Sequence, residues 1–106
     1  MKATKVLYKN GVVVSNVCDT ENDLRGYAGQ EGPKAIVAWV EGTFTGEVKF
    51  EVSKDGDTWH TLTDPNLGDI SLDAAGYQAI SNFAGKIRAD VSGVTVLGTL
   101  SITITR

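Results

Sequence analysis

The sequence predicts an all-β protein, an antiparallel sandwich of Ig-like or jelly-roll-like form preceded by an N-terminal β-hairpin or arm. Three observations carry the prediction. Glycine is abundant at 12 residues while proline is rare at two. Short runs rich in Val, Ile, Thr and aromatics recur between turn signals. Within those runs apolar and polar residues alternate with a period of two, which gives a strand one dry face and one wet face.

The expected strands, in order, are Thr4 to Lys9, Val12 to Val17, Ala35 to Val40, Glu47 to Ser53, Thr58 to Thr63, Tyr77 to Ile80, Lys86 to Ser92 and Thr99 to Thr105. Val48, Phe50 and Val52 oppose Glu47, Lys49 and Glu51; Ile87, Ala89 and Val91 oppose Arg88 and Asp90; Leu100, Ile102 and Ile104 alternate with Ser101, Thr103 and Thr105. Asn10-Gly11 reads as a two-residue type I′ turn, because both central positions need positive φ. Thr43 to Gly46 turns the chain, and Ser92-Gly93 is expected to end the strand from Lys86. No strong helix is evident.

The segment Asp19 to Lys34, DTENDLRGYAGQEGPK, is polar and glycine-rich, with Leu24 and Tyr27 as its anchors. It divides the chain into a hairpin arm plus connector (1–34) and a sandwich domain (35–106). Val6, Tyr8, Val12, Val14 and Val17 form an apolar alternation too strong for a disordered tail, and a hairpin alone is marginal in water. These strands need a partner sheet, and an intermolecular one is expected. Val6, Tyr8, Val12, Val14, Leu24 and Tyr27 are therefore the candidate contacts to a neighbouring subunit.

Composition excludes several functions. A net charge of −3 and a pI near 5.0, with scattered basic residues, argue against nucleic-acid binding. No apolar run approaches the roughly 20 residues of a membrane helix, and MKATKVLYKNG lacks the apolar block of a secretory signal. One cysteine, Cys18, allows no internal disulfide; it reads as a small buried hydrophobe, with pairing between chains as the other reading.

The stretch SKDGDTW, Ser53 to Trp59, looks most like a motif. Read structurally it is a tight hairpin turn: Ser53 or Asp55 bonds local amides, Gly56 supplies positive φ, and Trp59 re-enters the sheet as a core residue. The sharper comparison is with the Asp-box of sialidase propellers, SxDxGxTW. This chain has one residue too few between Asp and Gly, carries the motif once, and is too short for several blades.

Asp55, Asp57, Asp64 and Asp69 could share neighbouring loops, but calcium takes about six to eight oxygens and the EF-hand spacing is absent. One His and one Cys cannot make a protein-only zinc site. His60 is the sole imidazole, no G-x-S-x-G elbow occurs, and nothing singles out a pair among the 13 acidic residues. No enzyme, metal or cofactor is expected, and His60 reads as a surface or edge residue. Trp39, Phe44, Trp59, Tyr77 and Phe83 could form a sugar-stacking platform, though aromatics in a small β-protein more often fill the core.

From Trp39 onward the chain runs WVEGTFTGEVKFEVSKDGDTWHTL, a polar connector, KIRADVSG and LSITIT. This pattern, a Trp before a GTF turn, an alternating strand into S-x-DG-x-x-W, then I-R-A-x-V-S-G, resembles a small β-sandwich family of tailed-bacteriophage virion proteins. The likeness covers roughly the last two thirds of the chain and leaves the segment before Ala35 outside. It implies that Trp39, Phe44, Asp55, Gly56, Trp59 and Arg88 are structural framework, and it brings no catalytic residues. It implies a capsid decoration or cement protein, made in the host cytoplasm, that binds the major capsid protein on the capsid exterior, often as a trimer. The alternative is a carbohydrate- or receptor-binding sandwich on a tail or fibre. A domain cut from a larger adhesin is disfavoured by the initiating Met.

Overall fold

The computed structural model describes residues 4–24, 34–64, 66 and 68–106. The strands are β1 (Thr4–Lys9), β2 (Val12–Val13), β3 (Cys18–Asp19), β4 (Lys34–Glu41), β5 (Thr45–Ser53), β6 (His60–Thr61), β7 (Thr63–Asp64), β8 (Gly68–Asp69), β9 (Ser71–Leu72), β10 (Gly76–Phe83), β11 (Lys86–Val96) and β12 (Ser101–Thr105). A single helical turn, α1 (Thr20–Asp23), follows β3. The first sheet has the order β10-β4-β12-β1-β2; the second has β3-β11-β5-β6, with β9 also paired to β5; β7 and β8 form a small separate ladder. Every pairing is antiparallel.

The two large sheets bury their facing sides against each other. Ile36, Ala38, Val40, Ile102, Ile104 and Leu7 come from the first sheet, and Val48, Phe50, Ile87 and Cys18 from the second. The expected alternations place Val48 and Phe50 of β5, Ile87 of β11 and Ile102 and Ile104 of β12 in the core, while Val52, Ala89 and Val91 are half-buried and Ser53, at the end of β5, is buried. The protein is thus an all-β antiparallel sandwich.

The first segment differs from expectation. β1 is hydrogen-bonded to β12 of the same chain, with Thr4 opposite Thr105, Lys5 opposite Ile104 and Val6 opposite Thr103. The described part of the expected arm therefore belongs to the sandwich, and the division at residue 34 does not separate it from the core. Its phase is also shifted. The pairing slips between Val6 and Tyr8, an extra residue that turns Leu7 into the core, where it is fully buried. A one-residue slip moves side chains to the other face, so Leu7 anchors the strand.

The Asn10-Gly11 turn forms as expected, with φ of 51° and 80°. A side chain on Gly11 would also strike the backbone: its Cβ would lie 2.4 Å from the Gly98 carbonyl oxygen. The hairpin tip is tied to the 97–100 turn by a hydrogen bond from the Gly11 amide to the Leu100 carbonyl, 2.8 Å. Ser92-Gly93 does not end its strand. β11 continues to Val96, and the ladder with β5 absorbs the pair as an irregularity between Asp90 and Gly93.

The polar stretch after Cys18 begins as structure. Asp19 caps α1, accepting from the Glu21 amide at 3.2 Å and the Asn22 side chain at 2.9 Å. Thr20 is buried and exchanges hydrogen bonds with Gly85, its hydroxyl donating to the carbonyl at 2.7 Å and accepting from the amide at 3.1 Å. Arg106 donates to the Leu24 carbonyl at 2.7 Å, satisfying a backbone group beyond the helical turn. Leu24 is fully buried, so it serves this chain's own core and is not a capsid or subunit contact. Tyr27 lies outside the described residues.

Candidate functional site

SKDGDTW is a self-contained turn joining β5 to β6. The Ser53 hydroxyl accepts from the Gly56 amide at 2.8 Å, and Asp55 Oδ1 accepts from the amides of Asp57 and Thr58 at 2.9 and 3.2 Å. Gly56 has φ of 90°, a conformation that costs glycine little. These amides lower the Asp55 pKa by stabilising its charged form. The loop holds six residues between Ser53 and His60, longer than a tight hairpin.

Trp59 is not a core residue. Its indole N–H donates to the Gly56 carbonyl at 3.2 Å, and its ring, half-buried, lies under the Arg88 guanidinium with the central carbon 4.1 Å from the ring centroid. Arg88 also donates from Nε to Glu51 at 2.8 Å. This outer face of the second sheet carries opposite charges on neighbouring strands: Glu51 opposite Arg88, Lys49 opposite Asp90. His60 is exposed on edge strand β6.

The loop aspartates are engaged locally. Asp64 accepts from the Asn66 amide at 2.8 Å, and Asp69 pairs with Lys49 at 3.2 Å. Among the described residues no three of His, Cys, Asp and Glu are grouped as metal ligands would be. Asp19 and Asp90 have lowered pKa values. For Asp19 the first cause is the Asn22 hydrogen bond; for Asp90 it is the Ser92 side chain, followed by the Ser92 amide. Burial, with the Asp23 carboxylate second, pushes the Cys18 thiol up to about 12.

The five aromatics weighed as a platform separate in the fold. Phe44 and Phe83 pack against the core, Trp59 lies under Arg88, and Trp39 and Tyr77 stand together on the outer face of the first sheet. Trp39 alternates with buried Ala38 and Val40, so it points outward. Register places Tyr77, Trp39, Thr103 and Val6 in one row across β10, β4, β12 and β1. The Trp39 and Tyr77 rings are 5.3 Å apart between centroids and tilted by 39°, with exposures of 39% and 62%. The indole N–H donates to Thr105 Oγ1 at 2.8 Å, which fixes the ring. A shallow depression of about 210 Å³ beside it is lined by Thr4, Trp39, Glu41, Thr103 and Thr105.

A second surface is aliphatic. Val12, Val13, Val14, Val96 and Leu97 are exposed, and the Gly11–Leu100 bond brings the β1–β2 hairpin beside the turn that follows Val96. Of the expected contact residues, Val12 and Val14 lie here, Val6 is half-buried on β1, and Tyr8 packs against the core. Val13, Val96 and Leu97 were not expected; an uninterrupted VVV run on so short a strand was the available signal for Val13.

Comparison of the chain with protein-family models, with curated proteins and with solved structures finds no match.

Proposed function

We propose that this protein is a non-enzymatic structural protein of a tailed-bacteriophage virion, a decoration or cement protein that binds the outer capsid surface through its aliphatic end. The observation that carries the reading is the exposed set Val12, Val13, Val14, Val96 and Leu97 at one end of a sandwich whose first sheet finishes in the two-residue strand β2. Exposed apolar patches and unpaired strand edges are where proteins associate. No charge interrupts the run from Gly11 to Val17, so this edge lacks the lysine or proline that blocks pairing. The resemblance of residues 39–106 to virion sandwiches supplies the partner class, the major capsid protein, and favours a trimer as the bound form.

The work of such a protein is mechanical. Burying the valines against capsid subunits stabilises the bound state and, by mass action, the fold itself. The salt-bridged outer face of the second sheet would stay in solvent. The test is binding of the purified chain to undecorated capsid shells, followed by sedimentation. Saturable binding is expected, lost in Val12→Glu and Val14→Glu with the melting temperature unchanged. Absence of the chain from purified particles, or undiminished binding by both glutamate variants, would overturn the proposal.

A further inference from the structure

We propose that the outer face of the first sheet is a binding site for a neutral hexopyranose oligosaccharide, a function separate from attachment by the aliphatic end. Two aromatic rings on an outward sheet face have no role in this chain's own core, and Tyr77 is the more exposed of the two. Their tilt of 39° makes a twisted platform, which suits successive pyranose rings of a twisted chain, each offering an apolar C–H face. The Thr105 bond holds the indole in place before any ligand arrives, so little ordering cost remains at binding.

The surroundings select the ligand. Thr4, Thr103 and Glu41 line the depression beside Trp39, and none of the three side chains has a hydrogen-bond or ion-pair partner among the described residues. Hydroxyls give and accept, and a carboxylate accepts strongly, so together they match the vicinal hydroxyls of a sugar. A polar rim around an aromatic centre also occurs at protein interfaces, so self-association is read separately in the test. No Lys or Arg lines the depression, while Glu41 places a negative charge there. Uronic, sialic and sulfated sugars are thereby disfavoured, as are phosphates.

The test uses the full chain carrying Trp59→Phe, which leaves Trp39 as the sole indole reporter. Cellohexaose, maltohexaose, mannohexaose and the N-acetylglucosamine hexamer are titrated against Trp39 fluorescence, with a heparin hexasaccharide as the acidic control. At least one neutral hexamer is expected to bind saturably and the heparin fragment not at all. Tyr77→Ala should weaken binding by about tenfold, equivalent to about 1.4 kcal/mol, with an unchanged melting curve. Trp39→Ala, followed by calorimetry in the otherwise native chain, should abolish it, and Trp59→Phe alone should leave it unchanged. Failure of all four neutral hexamers, equal binding of heparin, or full affinity in Tyr77→Ala overturns the proposal. So does loss of self-association in Trp39→Ala, seen by sedimentation velocity, which would make the face a protein interface. Capsid binding by a Tyr77→Ala chain separates this outcome from that for the aliphatic end.

Discussion

The guanidinium of Arg88 covers the ring of Trp59 at 4.1 Å while its Nε donates to Glu51 at 2.8 Å. One arginine thus ties the β5–β6 turn to the middle of the second sheet from the solvent side. Because Trp59 is half-buried and outside the core, Trp59→Ala should cost about 1 to 2 kcal/mol, below the roughly 3 to 5 kcal/mol of a buried aromatic. Urea unfolding of Trp59→Ala, Arg88→Ala and the double variant measures it. A coupling near zero between the two would show that the stacking is incidental.

Removal of residues 1–34 should leave a chain that does not fold. The deletion takes away Leu7, Cys18 and Leu24, all fully buried, and exposes the edge of β12 that β1 covers. Circular dichroism and size-exclusion chromatography should show an unfolded or aggregated product. The milder Leu7→Ala should cost about 2 to 5 kcal/mol, whereas Val12→Ala should be nearly neutral. Equal effects at the two positions would contradict the register of β1.

Arg106→Ala should destabilise the protein by about 1 to 2 kcal/mol, as loss of a charge-assisted hydrogen bond to a buried-side carbonyl predicts. Its partners include the carbonyls of Leu24 and Thr20, at 2.7 and 3.5 Å. Hydrogen exchange should locate the loss, with faster exchange across residues 18–24 and little change in β5. Uniform acceleration over both sheets would mean that Arg106 acts globally.

Stability should decline at both ends of the pH scale, for opposite reasons. Asp19, Asp55 and Asp90 have folded pKa values held below the ordinary aspartate value by the hydrogen bonds they accept. Their contribution is present above that value and is lost as pH falls through the folded values. Cys18 is raised from 9.0 to about 12, so the neutral buried thiol is tolerated below pH 9 and stability drops as pH rises from there toward 12. Cys18→Ala should flatten the alkaline limb, and Asp19→Asn should soften the acid one. In the native state at neutral pH, Cys18 should resist thiol reagents and form no bond between chains.

Strands with a clean period of two were legible in the sequence, as Val48-Lys49-Phe50 and Ile102-Thr103-Ile104 illustrate. Lys5-Val6-Leu7-Tyr8 was not, because three adjacent apolar residues fit either phase and the choice is made by a slip against β12. Ser92-Gly93 carries the same chemistry whether it ends a strand or bends one. The helical turn at Thr20 depends on Gly85 and Arg106, partners distant in sequence, so local composition reads as loop. For the candidate sites, the valine run was visible as apolar but not as exposed. Trp39 and Tyr77 became a pair only once the β4–β10 register was known, since their sequence contexts alone fit core positions equally well.

The position of β12 between β4 and β1 sets the order of events on the ribosome. β1 precedes every other described strand, yet its principal partner, β12, is made after all the others. Until then the inner faces of β1 and β4 lack the strand that joins them, and the first sheet exists as two unconnected pieces. Native pairing therefore completes only once β12 has been made, and the high sequence separation of these contacts makes that closure slow. During that interval the aliphatic hairpin and an open sheet edge are exposed together, a combination that favours aggregation over folding.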